Sequence, residues 1–263
     1  MKKNKDHKFW NTQPIVKSIE ELDGHANAIM QKNKDVESKP IELPDEYFWD
    51  DIDIENNDEL DEVFNFLKEN YGEDNQFRFK YSREFIKWMF VSPGIEKSFV
   101  LVVRTNNNKK IVGLITSIPQ DMRMYDKIIN TCIVNFLCVH KSLRNKRMTP
   151  VLIKEITRRN NLLNIWQAVY TLGDSILEPM CTTQYYHRWL NPQKIISTGF
   201  GSVPRNLKQF NDPIKLLERL HNLPMSIDIQ GFRLMEKKDI PCVYKKLNIF
   251  LSKYKFAPIY GEK

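Results

Sequence analysis

Residues 132–159, CIVNFLCVHKSLRNKRMTPVLIKEITRR, constrain the fold most, because they change physical character twice. The first eight are apolar or β-branched apart from Asn135, which is typical of a buried strand. A basic loop follows, and its four cations are Lys141, Arg144, Lys146 and Arg147. Thr149 is expected to be the N-cap of a helix with Pro150 at its first position. The loop is either a diphosphate site at a helix N-terminus or an ordinary solvated basic loop.

Strands are also predicted on both sides of this segment. SFVLVVR and IVGLITSIP flank an asparagine-rich turn and predict an antiparallel hairpin. NIWQAVYTLG, after the basic helix, predicts a strand that ends at Thr171 and returns parallel by a right-handed crossover. The fold class expected from this order is α/β (α+β), a mixed sheet with flanking helices.

Three further helices are predicted from apolar periodicity. In NDELDEVFNFLKENY the shared apolar face consists of Leu60, Val63, Phe64 and Leu67. SREFIKWMF predicts a short helix that stops before Pro93. GFRLMEKKDIPCVYKKLNIFLSKY predicts a strand and then a helix with Asp239 as its N-cap.

Composition excludes some classes of protein. The net charge of +7 and the pI near 9.1 suit an anionic partner, whether nucleic acid, an acidic membrane or a phosphorylated small molecule. No apolar run approaches the roughly 20 residues that span a bilayer, and the N-terminus has no apolar signal core, so a cytoplasmic protein is expected. The four cysteines are far apart, and the five histidines lack ligand spacing, so we expect reduced thiols and no metal.

The polar stretch 1–45 is expected to be an extended arm. Its one aromatic island is HKFWNTQP, where Phe9 and Trp10 follow Lys8. These rings either pack on the body of the protein or stack on the ring of a ligand.

Taken together, these segments resemble the eukaryotic glycylpeptide N-myristoyltransferases over nearly the whole chain. HKFWNTQP is similar to the family's acyl-CoA arm, FRFKYS to its peptide-contacting aromatic segment, and NFLCVHKSLRNKRMTPVLIKEITRR to its acyl-CoA signature. QAVYTLG, YYHRWLNPQK and GFRLMEKKDIP match further blocks in the same order.

The fold implied by the resemblance is a pair of N-acetyltransferase-like (GNAT-like) halves related by pseudo-twofold symmetry. Residues 46–225 would be the acyl-CoA-binding half, and 226–263 the start of the second half. The implied reaction moves myristoyl from myristoyl-CoA to an N-terminal glycine amine by direct attack on the thioester. It uses no cofactor or metal, only myristoyl-CoA as co-substrate. The implied partners are N-terminal glycine peptides, nascent proteins and the ribosome, with the enzyme a monomer.

Site residues are implied by the same resemblance. The backbone N–H groups of Phe136 and Leu137 would form an oxyanion hole. The acyl-CoA residues would be Lys8, Phe9, Trp10, Phe136, Leu137, Cys138, Val139, Arg144, Asn145, Lys146, Arg147, Met148 and Thr149. The peptide residues would be Tyr71, Glu73, Asp74, Phe77, Phe79, Tyr81, Thr171, Tyr185, His187 and Phe200.

The chain departs from the family pattern in three respects. The acidic run after Tyr71 is shorter, and Asn145 and Thr149 stand where a serine and an alanine are usual. The family's base is its C-terminal carboxylate, and Lys263 comes too early to supply it, so we expect a truncated chain. Two other functions stay open: an acyl-CoA-binding module without catalysis, and a nucleic-acid binder using the basic loop, although nucleic acid is not the ligand we expect.

Overall fold

The structure is a computed structural model, and most of the chain from residue 35 onwards is described. The described residues are 12, 15–16, 32–33, 35–72, 80–91, 95–171, 181–182, 184–226 and 229–261. They divide into two compact units, Met1–Pro179 with Ile240–Lys263, and Met180–Asp239. None of the helices in these ranges is long and apolar enough to cross a bilayer.

The first unit is built on a six-stranded mixed sheet. Its strands are β1 (Tyr47–Asp51), β2 (Val100–Thr105), β3 (Ile111–Met124), β4 (Lys127–Val139), β5 (Gln167–Val169) and β6 (Phe256–Pro258). The strands β1 to β5 lie in sequence order; β1 to β4 are antiparallel neighbours, and β5 is parallel to β4. β6 pairs antiparallel with the far end of β3. The predicted hairpin and the parallel return are confirmed, so the mixed α/β class is confirmed.

Helices cover both faces of the sheet. They are α1 (Asn57–Asn70) and α2 (Arg83–Phe90) on one face and α3 (Met148–Leu162) on the other. A further helix, α6 (Ile240–Leu251), has no fully buried residue. In β2, Val100 and Val102 join the core beneath α1 and α2, whereas Leu101 and Val103 join the core beneath α3. Side chains alternate across a strand, so burial on both faces explains why β2 is apolar throughout.

Helix α1 buries a slightly different face from the predicted one. Leu60, Val63 and Leu67 are buried as expected, but Phe66 is buried in place of the partly buried Phe64. Its N-cap is the Asn56 side chain, which accepts a hydrogen bond from the Asp58 amide at 3.0 Å. These local signals made α1 predictable.

Helix α3 packs closely on β3 and begins one residue before the predicted N-cap. A Cβ added at Gly113 of β3 would lie 3.2 Å from Leu152 Cδ1, so glycine permits this approach. The helix begins at Met148, and its N-cap is Arg147 in the left-handed conformation, with φ of 59°. The prediction of Thr149 as the N-cap was therefore wrong: the left-handed turn at Arg147 starts the helix before the threonine.

A buried carboxylate ties the segment 37–41 to α3. Glu155 is fully buried and accepts hydrogen bonds from the Ile41 amide at 3.0 Å and from the guanidinium groups of Arg158 and Arg159 at 2.7 to 2.9 Å. Arg158 also donates to the carbonyls of residues 37 and 38, at 3.1 and 3.0 Å. Burial by itself would raise the pKa of Glu155, but the three donors together hold it below its usual range.

The chain from residue 184 to 261 contains short elements. The second unit holds α4 (Pro192–Ser197) and α5 (Pro213–His221), each with a proline in its first turn. The expected strand within GFRLM is absent from the described residues 229–236, which form turns and irregular backbone. The helix predicted after it is confirmed as α6, which belongs to the first unit and is anchored there by Arg123, whose Nη2 donates to the Leu251 carbonyl at 2.6 Å.

Candidate functional site

A β-bulge in β4 lies at the residues predicted to form the oxyanion hole. Leu114 of β3 pairs with Cys138 and Thr116 pairs with Asn135, so Phe136 and Leu137 together face the single residue between them on β3. Such a bulge takes backbone amides out of the regular ladder and re-aims them. Phe136 adopts a φ of 50°, which a bulky residue rarely does and which the surrounding structure must hold in place.

Two contacts support this bulge. The Thr116 hydroxyl donates to the Asn135 carbonyl at 3.0 Å, which fixes the backbone at the start of the bulge. The Phe136 ring is only 6% exposed and packs edge-on against Phe90 of α2, with ring centroids 5.1 Å apart. Burial of this large ring offsets the cost of the strained backbone.

The same ring contacts two of the predicted peptide residues. Tyr71, directly after α1, lies 5.5 Å from Phe136 between ring centroids, and Tyr81, two residues before the start of α2, lies 5.7 Å away. The two tyrosines are 6.1 Å from each other. Burial, with smaller contributions from Tyr81 and Cys138, raises the pKa of Tyr71, so its hydroxyl stays protonated and can donate a hydrogen bond. The structure therefore brings the predicted oxyanion hole and one end of the predicted peptide site together.

After the bulge, β4 ends in two buried residues. Cys138 and Val139 are 4% and 7% exposed, on opposite faces of the sheet. Burial raises the pKa of the Cys138 thiol to about 12, although Arg144 acts in the opposite direction. A thiol with that pKa is protonated near neutral pH, which does not favour its use as a nucleophile.

The basic loop leads from β4 to the N-terminus of α3. It includes a short 3-10 helix, Lys141–Leu143, capped by the His140 imidazole, whose Nδ1 accepts from the Ser142 amide at 3.3 Å. At its end, Arg147 makes no side-chain capping bond to α3, and the first turn of α3 contains no acidic residue. Helix N–H groups without a side-chain cap, beside cations, form a site that suits a phosphate group.

The cations of the loop differ in their surroundings. Within the residues that the structure describes, the exposed side chains of Lys146 and Arg147 have no carboxylate partner. Arg144 instead reaches back to the protein, where its Nη2 donates to the Asn70 carbonyl at 2.7 Å and its Nε to the Val139 carbonyl at 3.5 Å. Lys146 and Arg147 can therefore offer all their hydrogen-bond donors to a ligand, whereas Arg144 already uses two of its donors within the protein.

The remaining predicted site residues are distributed as follows. Asn145 is exposed in the loop, Met148 is buried and Thr149 is half-buried in the first turn of α3, and Thr171 is exposed after β5. Tyr185, His187 and Phe200 belong to the second unit, where the Tyr185 and His187 rings stack at 6.3 Å and Phe200 is 58% exposed. Seven predicted residues lie outside the described ranges: Lys8, Phe9, Trp10, Glu73, Asp74, Phe77 and Phe79.

Sequence reasoning missed three residues that shape this region. Thr116 and Phe90 hold the bulge, and Asn70 bonds the basic loop to α1. Asn70 could have been found, because it continues the spacing of Leu60, Val63 and Leu67 and so places a polar side chain on an apolar helix face. The contacts that Thr116 and Phe90 make with the bulge had no local signal in the sequence.

Solved structures of known proteins match the fold of this chain. A crystal structure of Saccharomyces cerevisiae N-myristoyltransferase with bound myristoyl-CoA matches with a TM-score of 0.89 and 37% identity, covering 98% of this chain and 58% of that chain. A second structure of the yeast enzyme with myristoyl-CoA matches with a TM-score of 0.88 and 36% identity, over 98% of this chain and 61% of that one. The fold is thus that of enzymes solved with a bound acyl-CoA.

Sequence comparisons give the family. The model of the myristoyl-CoA:protein N-myristoyltransferase N-terminal domain matches residues 28–183. Glycylpeptide N-tetradecanoyltransferase 2 of Bos taurus is 41% identical over 98% of this chain, and glycylpeptide N-tetradecanoyltransferase 1 of Arabidopsis thaliana is 40% identical over all of it. The chain belongs to the N-myristoyltransferase family, and the predicted family is confirmed. It spans 51% of the length of the bovine relative and 61% of that of the Arabidopsis relative.

Proposed function

We propose that this chain binds myristoyl-CoA and takes part in the transfer of the myristoyl group to the N-terminal glycine amine of proteins. The observation that carries the proposal is the bulge at Phe136, which lies between the basic loop and the aromatic cluster of Tyr71 and Tyr81. A thioester carbonyl at the bulge would lie between the CoA, which leaves as its thiolate, and the glycine amine that attacks. The yeast relatives were solved with bound myristoyl-CoA, which supports the choice of acyl donor.

The CoA phosphates would bind at the N-terminus of α3. Asn145, Lys146, Arg147, Met148 and Thr149 would surround them, with helix N–H groups and cations as the donors. Arg144 would hold the loop in place and contribute its charge. Lys8, Phe9 and Trp10 are proposed for the nucleotide end, and Cys138 and Val139 for the thioester region.

The reaction would be a direct acyl transfer. The neutral glycine amine attacks the thioester carbonyl carbon, and the carbonyl oxygen becomes negatively charged in the tetrahedral intermediate. The amides of Phe136 and Leu137 would donate to this oxygen, and such donors act on charge that develops in the transition state. The intermediate then expels the CoA thiolate, and the amine proton passes to a base outside the residues assigned here. Holding amine and thioester in line supplies a further part of the acceleration.

The peptide would bind from the aromatic cluster outward. Aromatic residues would enclose the glycine, and acidic residues would contact basic side chains further along the peptide. The proposed residues are Tyr71, Glu73, Asp74, Phe77, Phe79, Tyr81, Thr171, Tyr185, His187 and Phe200. Since an N-terminal glycine becomes available during synthesis, nascent proteins at the ribosome are the proposed substrates, and the enzyme is proposed to act as a cytoplasmic monomer.

Calorimetric titration with a non-hydrolysable myristoyl-CoA analogue tests the acyl-CoA site. We expect saturable binding by the native chain and about 100-fold weaker binding by Lys146→Ala/Arg147→Ala, since two charge-assisted hydrogen bonds are lost. The matched control is Lys245→Ala/Lys246→Ala, which removes two exposed cations of α6 and should leave the affinity unchanged. Equal affinity of the loop variant and the native chain would exclude the proposed phosphate site.

An acylation assay tests the transfer itself. The native chain is incubated with myristoyl-CoA and a glycine-initiated peptide, and the product is detected by mass spectrometry. A peptide that begins with alanine is the control. Acylation of the glycine peptide alone is the expected result. Analogue binding without acylation would instead identify a binding module that does not catalyse transfer on its own.

A further inference from the structure

Asn70, the last residue of α1, is a buried polar residue with an unusual set of partners. It is only 5% exposed, and its Nδ2 donates to the Phe66 carbonyl within α1 at 3.0 Å. Its Oδ1 accepts from the Lys141 amide at 3.3 Å, and its main-chain carbonyl accepts from Arg144 Nη2 at 2.7 Å. One residue therefore bonds the end of α1 to two positions of the basic loop.

These contacts fix the loop against α1. A buried amide is costly unless it is hydrogen-bonded, so both the Phe66 carbonyl and the Lys141 amide are needed to offset the burial of Asn70. The guanidinium of Arg144 lies at the C-terminus of α1, where the helix dipole favours a positive charge. Together they give the loop one preferred position relative to α1.

The next residue along the chain belongs to the aromatic cluster. Tyr71 follows Asn70 directly, donates its amide to the Leu67 carbonyl at 2.9 Å and packs its ring on Phe136. A single peptide bond thus separates the contact with the basic loop from a residue proposed to hold the peptide.

We propose that Asn70 is a positioning residue that couples the two substrate sites. An acyl-CoA that immobilises the basic loop strengthens the bond from the Lys141 amide to the Asn70 side chain, and this bond in turn holds Tyr71 in the conformation that receives the glycine peptide. The bond from Arg144 goes to the main-chain carbonyl of Asn70, so it persists when the side chain is replaced and does not by itself carry the coupling. Such a coupling needs a segment that becomes more ordered when the ligand binds. In this proposal that segment is the C-terminal end of α1, which is hydrogen-bonded to the basic loop. The inference rests on the proposed function, since it takes the loop to be the acyl-CoA site.

Hydrogen exchange followed by mass spectrometry tests the coupling on the whole chain. Exchange is compared with and without the non-hydrolysable myristoyl-CoA analogue in two segments, residues 60–72 and 140–151. In the native chain we expect slower exchange in both segments, by about 2- to 10-fold in the first, the factor contributed by one hydrogen bond. In Asn70→Ala we expect the analogue to slow exchange only in residues 140–151.

Two variants separate coupling from a loss of stability. Asn70→Asp keeps an oxygen for the Lys141 amide but loses the donor to the Phe66 carbonyl, so it destabilises the end of α1 as Asn70→Ala does and should still restore the response of residues 60–72. Asn160→Ala is the matched control, because Asn160 is equally buried, at 4% exposed, and its Oδ1 accepts from the Ser117 hydroxyl at 2.9 Å away from the loop. It should keep the response to the analogue in both segments.

Each outcome decides the inference. Two results overturn the coupling and leave the proposed function standing. In one, residues 60–72 still respond to the analogue in Asn70→Ala. In the other, residues 140–151 of the native chain respond but residues 60–72 do not. No response in either segment of the native chain means that the analogue does not bind, and this overturns both the coupling and the proposed function. If Asn70→Ala does not fold, Asn70→Ser gives the same comparison, because its hydroxyl can bond to the carbonyl one turn back but cannot reach Lys141.

Discussion

Replacing Glu155 tests the energetics of the fold most directly. This carboxylate is fully buried, and it accepts from the Ile41 amide and from both Arg158 and Arg159. Glu155→Ala would leave two guanidinium groups, whose side chains are 11% and 14% exposed, without their shared partner.

The expected loss can be worked out from these contacts. Removing one partner of a buried ion pair costs about 3 to 5 kcal/mol. Arg158 keeps its bonds to the carbonyls of residues 37 and 38, and Arg159 keeps its pairing with Asp51, so the lower end of that range applies. We expect Glu155→Ala to lose about 3 kcal/mol, and Glu155→Gln, which keeps one acceptor oxygen, to lose about 2 kcal/mol.

Urea unfolding followed by circular dichroism measures these losses. For a chain of this size, 3 kcal/mol corresponds to a fall in Tm of about 6 to 12 °C. Glu69→Ala, which removes an exposed carboxylate of α1, is the control and should change stability by less than about 0.5 kcal/mol. A loss below about 1 kcal/mol for Glu155→Ala would refute the assignment of a structural role to the buried carboxylate.

The pH dependence gives an independent check. Because the folded-state pKa of Glu155 is lowered, the unfolded chain binds more protons below the ordinary glutamate pKa of about 4.3. The contribution of Glu155 to the free energy of unfolding is therefore complete above that pH, and it is lost as the pH falls towards the folded-state pKa. The difference in stability between the native chain and Glu155→Gln should shrink below about pH 4, and a constant difference from pH 6 to pH 3 would contradict the reasoning.

Two further predictions concern buried groups. Burial raises the pKa of two thiols, to about 11 and about 12, so at pH 8 they should react with a disulfide reagent at least about 100-fold more slowly than the two exposed ones. The slow thiols are Cys132 and Cys138, and the fast ones are Cys181 and Cys242. Equal rates for all four would contradict the packing of β4. Arg104→Met should cost about 2 kcal/mol in urea unfolding, since Arg104 bridges Asp50 and Glu62 at 2.6 Å, whereas exposed Lys110→Met should cost almost nothing.

Local sequence patterns predicted most of the regular structure. The periodicity of α1 and α2, the asparagine-rich turn between β2 and β3, and the switch from apolar strand to basic loop before α3 all depend on neighbouring residues. The strand β1, YFWDD, was not predicted, because two acidic residues end its short aromatic run and hide the strand pattern. The length of β3 and β4 was also underestimated, since their outer ends are half-exposed and less apolar.

The candidate site was predicted only as a set of residues. The sequence pattern placed Phe136 in a strand, but its positive φ and the bulge depend on Thr116 of the neighbouring strand and on the ring of Phe90. Likewise, Arg144 was predicted as one of four equivalent cations, and only its contact with the Asn70 carbonyl distinguishes it from Lys146 and Arg147.

By itself, the sequence determined the elements of this protein, the position of the basic loop and the family, because these depend on residue type and spacing along the chain. The tertiary structure decided which of those residues meet. Asn70 and Lys141 are 71 positions apart, and the two come into hydrogen-bond contact only because α1 packs on the sheet beside the end of β4. Contacts of that kind depend on packing between distant elements, which no local pattern encodes.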